Sequence, residues 1–327
     1  MADKTQKEAA PATATNGSSS TPPTSIDIDK TRPADFEGDL ATNDELPSAE
    51  TLAKIQDYVL LDSDGKTHTF KSLYNGPNVA RRVLVLFVRH FFCNLCQEYL
   101  QIVCENAKPD ALLQLPVSTF IVVIGCGDPA LIDQYREITQ CPFPMYVDPK
   151  RKLYQELGMT QKWNTGPKPA YQRQSFLGGA FKGFTQALGH FSTGLATKSG
   201  NMSQVGGEFL FEPMELWTPL STPKDGTVAA GGVESFESRV GHGDAEPSRE
   251  EKKVTWCHRM RNTRDHTEIP ELMDVLGLDG QGKPIKDSAR WAAALRTRKG
   301  TGESMAGRMG EKYNDGAAAD GEAVETK

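Results

Sequence analysis

Two predominantly apolar runs, each followed by a pattern typical of a helix, most constrain how this chain folds. Apart from Arg82, Ser118 and Thr119, residues 82–88 and 117–124 are apolar and rich in β-branched side chains, as in strands that are covered on both faces. A stripe at i, i+4, i+7 and i+8 follows the first run and predicts a helix from Cys93 to about Ala107, its members being Leu95, Tyr99, Ile102 and Val103. Such alternation predicts a mostly parallel sheet with helices on both faces.

Shorter patterns complete the predicted order of elements. Residues 58–62 and 67–70 flank the turn Ser63-Asp64-Gly65 and indicate an N-terminal β-hairpin. Asp-Pro pairs at 128–129 and 148–149 predict helix starts, because Asp is a favoured N-cap and Pro a favoured first helical residue. The remaining predictions are a strand at 143–147, antiparallel strands at 208–211 and 254–260, and a helix at 269–276 that Gly277 ends. The antiparallel pair makes the central sheet mixed.

The segments that flank or interrupt these elements are poor in apolar residues. They are an acidic tail (1–50), a Pro- and Gly-rich insertion (213–252) and a Gly-, Ala- and charge-rich tail (280–327). Such segments bury too little apolar surface to offset the entropy that the chain loses on folding. We expect these three segments to be disordered or loosely docked. One domain over 51–279, with the insertion inside it, is therefore predicted.

Composition excludes several classes of protein. The formal net charge is −6 and its acidic excess lies in the N-terminal tail, which gives no reason to expect nucleic acid as a partner. No apolar run approaches the roughly 18 residues of a membrane span, and the polar start has no secretory or transit pattern. We expect a cytoplasmic protein, with the nucleus as a second location. In such a compartment the 6 cysteines do not suggest a disulfide framework.

The pair Cys93 and Cys96 is the sharpest chemical feature. Cys93 falls between a buried strand and a helix, where free backbone N–H groups and the helix dipole favour a thiolate. Cys96 lies one turn away and can resolve a mixed disulfide formed by Cys93. Arg89 and His90, just upstream, are candidates to add positive charge.

Two other interpretations of this pair stay open. Both cysteines can be small buried hydrophobic residues without a redox role. A zinc site needs two more ligands, for which Cys257 and His258 are the candidates, but adjacent strand residues point to opposite faces. We expect no metal and no organic cofactor, and Gly125-Cys126-Gly127 does not match a dinucleotide-binding loop.

The sequence resembles the peroxiredoxin-like AhpC/TSA branch of the thioredoxin superfamily. The resemblance is carried by VLFVRHFFCNLC at 85–96 with Tyr99, YVDP at 146–149, Leu153-Tyr154, Leu157-Gly158, HRMRN at 258–262 and Asp265-His266. It implies a thioredoxin-like fold over about 55–277, with Cys93 as nucleophile and Cys96 as resolving cysteine.

This chain departs from peroxiredoxins around the thiol. The family's Pro and Thr, seven and three residues before the nucleophilic cysteine, are replaced by Leu86 and His90. The position of its active-site Arg, and of the thioredoxin cis-proline, holds Gly206 and Gly207. The resemblance therefore implies a retained thiol pair without the groups that polarise a peroxide.

Three further patterns have two interpretations each. The first is a polar cluster of His258, Arg259, Arg261, Asp265 and His266. We expect it to be a strand-to-helix connection with solvated charges and an Asp265 turn. The other interpretation is a basic rim near the active site that includes Arg259. A stripe from Phe181 to Leu195 is expected to face the core, or else to form a docking surface near Cys93. Residues 286–299 are expected to be a solvated tail, or else a basic amphipathic helix.

Together these patterns predict a thiol–disulfide oxidoreductase that acts on a protein disulfide or a hydroperoxide. An external thiol reductant would restore its dithiol. The alternative is a binding or redox-sensing module on the same fold.

Overall fold

One mixed sheet organises the computed structural model, which describes residues 26–29, 45–159, 167–172, 194–214, 251–278 and 299–302. Within these residues the sheet has eight strands in the order β2-β1-β5-β4-β3-β6-β7-β8. The strands are β1 (Val59–Leu61), β2 (Thr67–Thr69), β3 (Arg82–Phe87), β4 (Thr119–Gly125), β5 (Met145–Val147), β6 (Gly207–Pro213), β7 (Lys252–Arg259) and β8 (Thr301–Gly302).

Strand β3 lies at the centre of the sheet, and all six of its residues are buried. It pairs parallel with β4, with Val85 opposite Val122, and antiparallel with β6, with Val85 opposite Phe209. Strands β6 and β7 are antiparallel and place Glu208 opposite His258. The predicted mixed sheet is therefore confirmed.

Helices cover both faces of this sheet. They are α1 (Ala49–Ile55), α2 (Phe70–Tyr74), α3 (Asn94–Asn106), α4 (Pro109–Leu113), α5 (Ile132–Thr139), α6 (Lys152–Glu156) and α7 (Ile269–Leu276). One apolar cluster joins the sheet to α3, α5 and α7, and a second joins the opposite face to α1, α2 and α6. A parallel β–α–β unit followed by an antiparallel pair and a terminal helix is the thioredoxin-like arrangement that the resemblance implies.

The N-terminal hairpin, the helix at Cys93 and the helix ended by Gly277 are confirmed. The helix expected to start at Asp148 instead begins at Lys152, after Arg151 takes a left-handed conformation with φ 54°. Asp148 still supports this helix, because its Oδ2 accepts a hydrogen bond from the Leu153 N–H at 2.7 Å. Helices α2 and α4 were not predicted because five residues are too short for a periodic pattern.

Parts of the segments expected to be disordered or loosely docked contact the domain. Asp29 forms an ion pair with Arg151 at 2.6 Å. At the other end, Thr301 and Gly302 pair with β7, and Glu271 accepts hydrogen bonds from the Lys299 and Gly300 N–H groups. These residues are therefore docked on the domain, which is the second of the two alternatives expected for the tails. The wider domain boundaries stay a prediction.

Several predicted features lie wholly or largely outside the described residues. They are the stripe from Phe181 to Leu195, the basic segment 286–299 and the insertion at 213–252. Within the described part of the chain, no helix has both the length and the apolar character needed to cross a membrane.

Candidate active site at the start of helix α3

The loop that leaves β3 places Cys93 at the N-cap of α3. Its backbone is extended, with φ −75° and ψ 102°, and its Sγ accepts a hydrogen bond from the Cys96 N–H at 3.4 Å. The Gln97 side chain holds the loop by donating to the Phe91 carbonyl at 2.8 Å. The thiol therefore lies at the positive end of a helix of 13 residues.

Arg89 supplies a cation beside this thiol. Its Nη1 donates to the Cys93 Sγ at 3.2 Å. The rest of the guanidinium is held by carbonyls: Nε donates to Gln204 O at 2.9 Å and Nη2 to Met202 O at 2.6 Å. Three donors used on three different acceptors fix the plane of the guanidinium, so the predicted contribution of Arg89 has a defined geometry.

The two thiols differ in acidity. Hydrogen bonding from the Cys96 thiol and the nearby charge of Arg89 hold the pKa of Cys93 well below its usual range, although burial opposes this. Burial, together with the hydrogen bond to Cys93, raises the pKa of Cys96 well above its usual range. The pair therefore has the asymmetry of a nucleophile and a resolving thiol.

Cys96 also contacts a buried histidine, for which the sequence predicts a place in a solvated connection. His266 Nε2 lies 3.4 Å from the Cys96 Sγ, and its Nδ1 lies 3.3 Å from Glu208 Oε1. The side chains of His266 and Glu208 are fully buried. The interpretation of His266 as a solvated residue is therefore wrong, because the turn after β7 directs it under α3.

The surroundings of His266 and Glu208 fix both side chains. Tyr99 stacks on the His266 ring with a centroid separation of 4.3 Å and an interplanar angle of 10°. Thr267 Oγ1 donates to Glu208 Oε2 at 3.1 Å. Burial lowers the pKa of His266 to about 3 and raises the pKa of Glu208 to about 7. A neutral imidazole therefore lies between a thiol and a carboxyl group that titrates near neutral pH.

The sequence contained a weak signal for this pair. Glu208 is a lone acid at the start of a strand that is otherwise apolar and aromatic up to Phe211. A carboxylate is rarely fully buried without a partner, so its position predicts one. Identifying His266 as that partner requires the pairing of β6 with β7, which the sequence alone does not specify.

His90 and Arg259 do not supply the positive charge expected of them. His90 is buried, and burial with the nearby charge of Arg89 lowers its pKa to about 3, so it is neutral at pH 7. Arg259 faces the opposite apolar cluster, where it donates to the carbonyls of Leu157 and Glu45. Arg259 is therefore not beside Cys93, because alternation along β7 turns its side chain away, and the basic rim stays a prediction.

The candidate zinc ligands are separated in the same way. Cys257 is buried in the cluster opposite the one that contains Cys93 and Cys96. His258 lies on the other face of β7, with its Nε2 at 2.5 Å from the Asp265 carbonyl oxygen. Among the described residues, no group of three His, Cys, Asp or Glu side chains is placed to hold a metal ion.

Backbone contacts explain the glycines at the position of the peroxiredoxin arginine. A Cβ on Gly206 would lie 2.1 Å from the Phe87 carbonyl oxygen, and one on Gly207 would lie 2.6 Å from the His258 carbonyl oxygen. A side chain at either position would require the strands to separate. Among the described residues, Arg89 is a cation that contacts Cys93.

Comparison with known proteins points to one family. Residues 106–218 match the family model described as AhpC/TSA antioxidant enzyme. Peroxiredoxin-like 2C of Homo sapiens is 32% identical over 165 residues, which cover 49% of this chain and 68% of that protein. The Bos taurus protein of the same name is 30% identical over 166 residues, covering 49% of this chain and 67% of its own length.

Among solved structures, a peroxiredoxin-like protein from Aquifex aeolicus is similar with a TM-score of 0.35 and 7% identity, covering 67% of this chain and 81% of that chain. The family match begins at residue 106, after both Cys93 and Cys96. The roles of these two cysteines therefore stay a prediction.

Proposed function

Because this chain belongs to the AhpC/TSA antioxidant family together with the peroxiredoxin-like 2C proteins, we propose that it is a thiol–disulfide oxidoreductase. Cys93 is the attacking thiolate and Cys96 the resolving thiol. Its partners are a disulfide substrate and an external thiol reductant, and we place it in the cytoplasm.

The reaction is an exchange of sulfur–sulfur bonds. The Cys93 thiolate attacks one sulfur of the substrate disulfide, forms a mixed disulfide and releases the other sulfur as a thiolate. Cys96 then attacks the Cys93 sulfur, which forms the Cys93–Cys96 disulfide and releases the second substrate sulfur. The substrate gains two electrons and the protein loses two. A dithiol reductant returns them, and no step needs a metal or an organic cofactor.

The hydrogen bonds on the Cys93 sulfur carry this proposal. That sulfur accepts from Arg89 Nη1 at 3.2 Å and from the Cys96 N–H at 3.4 Å, and both favour the charged form. A cysteine that only fills space in the core needs neither donor. The buried cation on the thiol favours a nucleophile.

The burial of Cys93 supports a second candidate function, that of a redox sensor. Its side chain is 4% exposed, so a small hydroperoxide reaches the sulfur more easily than a protein disulfide does. The thiolate would attack the peroxide oxygen, break the O–O bond and release an alcohol. Cys96 would then displace water from the resulting sulfenic acid to form the same disulfide.

Steady-state turnover distinguishes the two functions. Purified protein is supplied with a dithiol reductant and either a peptide disulfide or an alkyl hydroperoxide, and consumption of each substrate is followed. The oxidoreductase predicts catalytic consumption of the disulfide, which Cys93→Ser abolishes. With the reductant left out, Cys96→Ser should stop at a mixed disulfide between Cys93 and the peptide.

Cys257→Ser is the matched control, because Cys257 is equally buried but lies on the opposite face of the sheet. It should turn over like the native protein. Stoichiometric oxidation by hydroperoxide with no turnover of either substrate would favour the sensor. No reaction at Cys93 with either substrate would contradict both functions.

A further inference from the structure

The resolving thiol, Cys96, poses a chemical problem within the proposed function. It must lose its proton before it can attack the Cys93 sulfur, yet its side chain is fully buried. Burial opposes the creation of a new negative charge at this place. The proton therefore needs an acceptor inside the protein.

We propose that His266 and Glu208 form a proton relay that activates Cys96 for resolution of the mixed disulfide. This inference rests on the proposed function and extends it to two residues outside the CxxC pair. His266 is the group that contacts the reacting sulfur, and Glu208 acts through His266.

The contacts define the path of the proton. The ionised Glu208 accepts a hydrogen bond from the His266 Nδ1–H at 3.3 Å, which assigns the tautomer with a free Nε2. That Nε2 lies 3.4 Å from the Cys96 sulfur and can accept its proton. As Nε2 gains this proton, Nδ1 passes its own proton to Glu208. The imidazole stays neutral and ends in the other tautomer.

Charge conservation favours this path. Before the transfer the buried negative charge lies on Glu208, and afterwards it lies on the Cys96 sulfur. The number of buried charges does not change, so no new desolvation is required for a second anion. The thiolate then attacks the Cys93 sulfur, and the departing substrate thiolate carries the charge out of the site.

The fixed geometry of the relay points to the same role. Thr267 holds the second oxygen of Glu208 at 3.1 Å, and Tyr99 stacks on the imidazole. Lys299 Nζ donates to the His266 carbonyl at 2.9 Å and holds the backbone of this turn. Neither ring nitrogen can turn away from its partner without breaking these contacts.

Other titratable and charged groups surround the relay. Those that affect His266 are Cys93, Arg89, Lys299 and Asp265. Those that affect Glu208 are His258, Tyr99 and Lys299. The pKa of Glu208, at about 7, lies within the range in which the reaction can be measured.

A chromogenic disulfide separates the two steps of the reaction. Reduced protein is mixed with 5,5′-dithiobis(2-nitrobenzoate), and the released thionitrobenzoate is followed by absorbance. The first release reports attack by Cys93, and the second reports attack by Cys96 on the mixed disulfide. Cys96→Ser should retain the first release and lose the second.

The relay predicts effects on the second release. His266→Gln should slow it by about 100-fold or more, the range of general acid–base catalysis, with a smaller change in the first release. In the native protein the second rate should rise about tenfold between about pH 6 and pH 8 and then level off, because only the ionised Glu208 accepts a proton. Glu208→Gln should remove this plateau, leaving a rate that keeps rising with hydroxide.

His68→Gln is the matched control, because His68 pairs with Asp62 at 2.8 Å at the far edge of the sheet. It should leave both releases unchanged. Unfolding of a variant is recognised because all 6 cysteines would then react. The native pH profile tests the relay even if a variant unfolds.

The relay and the proposed function are contradicted by different results. The relay is contradicted if the rate of the second release in the native protein reaches no plateau near neutral pH, or if the His266→Gln variant resolves the mixed disulfide at the native rate. Either result would leave the Cys93–Cys96 couple intact. A native protein that shows no second release would contradict the proposed function itself.

Discussion

Helix α3 carries thiols at both ends, and the two ends differ in what surrounds the sulfur. Cys93 and Cys96 lie at its start, while Cys104 lies near its end and hydrogen-bonds with Cys141, which follows α5. The exposed fractions are similar: 4% for Cys93, 3% for Cys104 and 5% for Cys141. Burial therefore does not distinguish the two pairs.

The difference lies in the donors. At the start of α3, Cys93 accepts from a buried guanidinium and a backbone N–H, and its partner Cys96 contacts His266. At the other end, hydrogen bonding from the Cys104 thiol and the nearby charge of Arg136 also lower the pKa of Cys141, but Arg136 is exposed whereas Arg89 is buried. We therefore propose that the buried cation beside Cys93, and not the proximity of two thiols alone, makes Cys93 and Cys96 the reactive pair.

The largest effect should come from deleting one sulfur in each pair. Cys93→Ser should slow the first thionitrobenzoate release by at least about 100-fold, because a hydroxyl is not ionised at neutral pH. Cys104→Ser should leave the rate unchanged. Stopped-flow absorbance measures both rates. An equal decrease of the rate in the two variants would contradict the difference between the two thiol pairs.

The pH dependence of alkylation should show the difference in acidity between Cys93 and Cys104. Because hydrogen bonding and Arg89 lower the pKa of Cys93, its thiolate persists as the pH falls below the ordinary range of a thiol. The hydrogen bond to Cys141 and burial raise the pKa of Cys104, so its thiolate is lost there. At about pH 6, iodoacetamide should modify Cys93 at least about tenfold faster than Cys104. Mass spectrometry of the two peptides measures both rates, and similar rates would contradict the assigned acidities.

Removing the guanidinium tests the cause of that acidity. Arg89→Gln should raise the pKa of Cys93 by roughly 1 unit, since an opposite charge in contact favours the charged form. The pKa is measured from thiolate absorbance at about 240 nm. Arg136→Gln is the matched control, because the exposed Arg136 lies near Cys141. An unchanged Cys93 pKa in Arg89→Gln would assign the acidity to the hydrogen bonds from Cys96 and to the helix N-terminus.

The smallest effect should come from Cys141→Ala. Loss of one buried thiol contact should lower the free energy of unfolding by about 1 kcal/mol, without changing the reaction of Cys93. Urea denaturation and the first thionitrobenzoate release measure the two quantities. A changed release rate would show that the pairs are coupled along α3.

The start of α3 could be predicted from the sequence because its determinants are local. A buried strand, a CxxC pair and Arg89 all fall within residues 82–96, so spacing alone places the cation and both thiols near one helix N-terminus. The hairpin and the last helix were predicted for the same reason. Each depends on a short pattern with its own turn or cap signal.

The rest of the site depends on contacts between distant parts of the chain. His266 lies 170 residues after Cys96 and 58 after Glu208. Only the register of β6 against β7, with Glu208 opposite His258, brings them under α3. Alternation along β7 likewise decides that Arg259 faces away, and no single-sequence pattern specifies that register.

The most direct test of the account is a redox titration of the full chain in glutathione buffers, with mass spectrometry of the peptide that contains Cys93 and Cys96. The account predicts a reversible two-electron couple between roughly −300 and −180 mV, where cellular disulfide catalysts lie, and its loss in Cys96→Ser. If the two thiols stay reduced across that range, or never pair with each other, the proposal of a redox-active CxxC is contradicted.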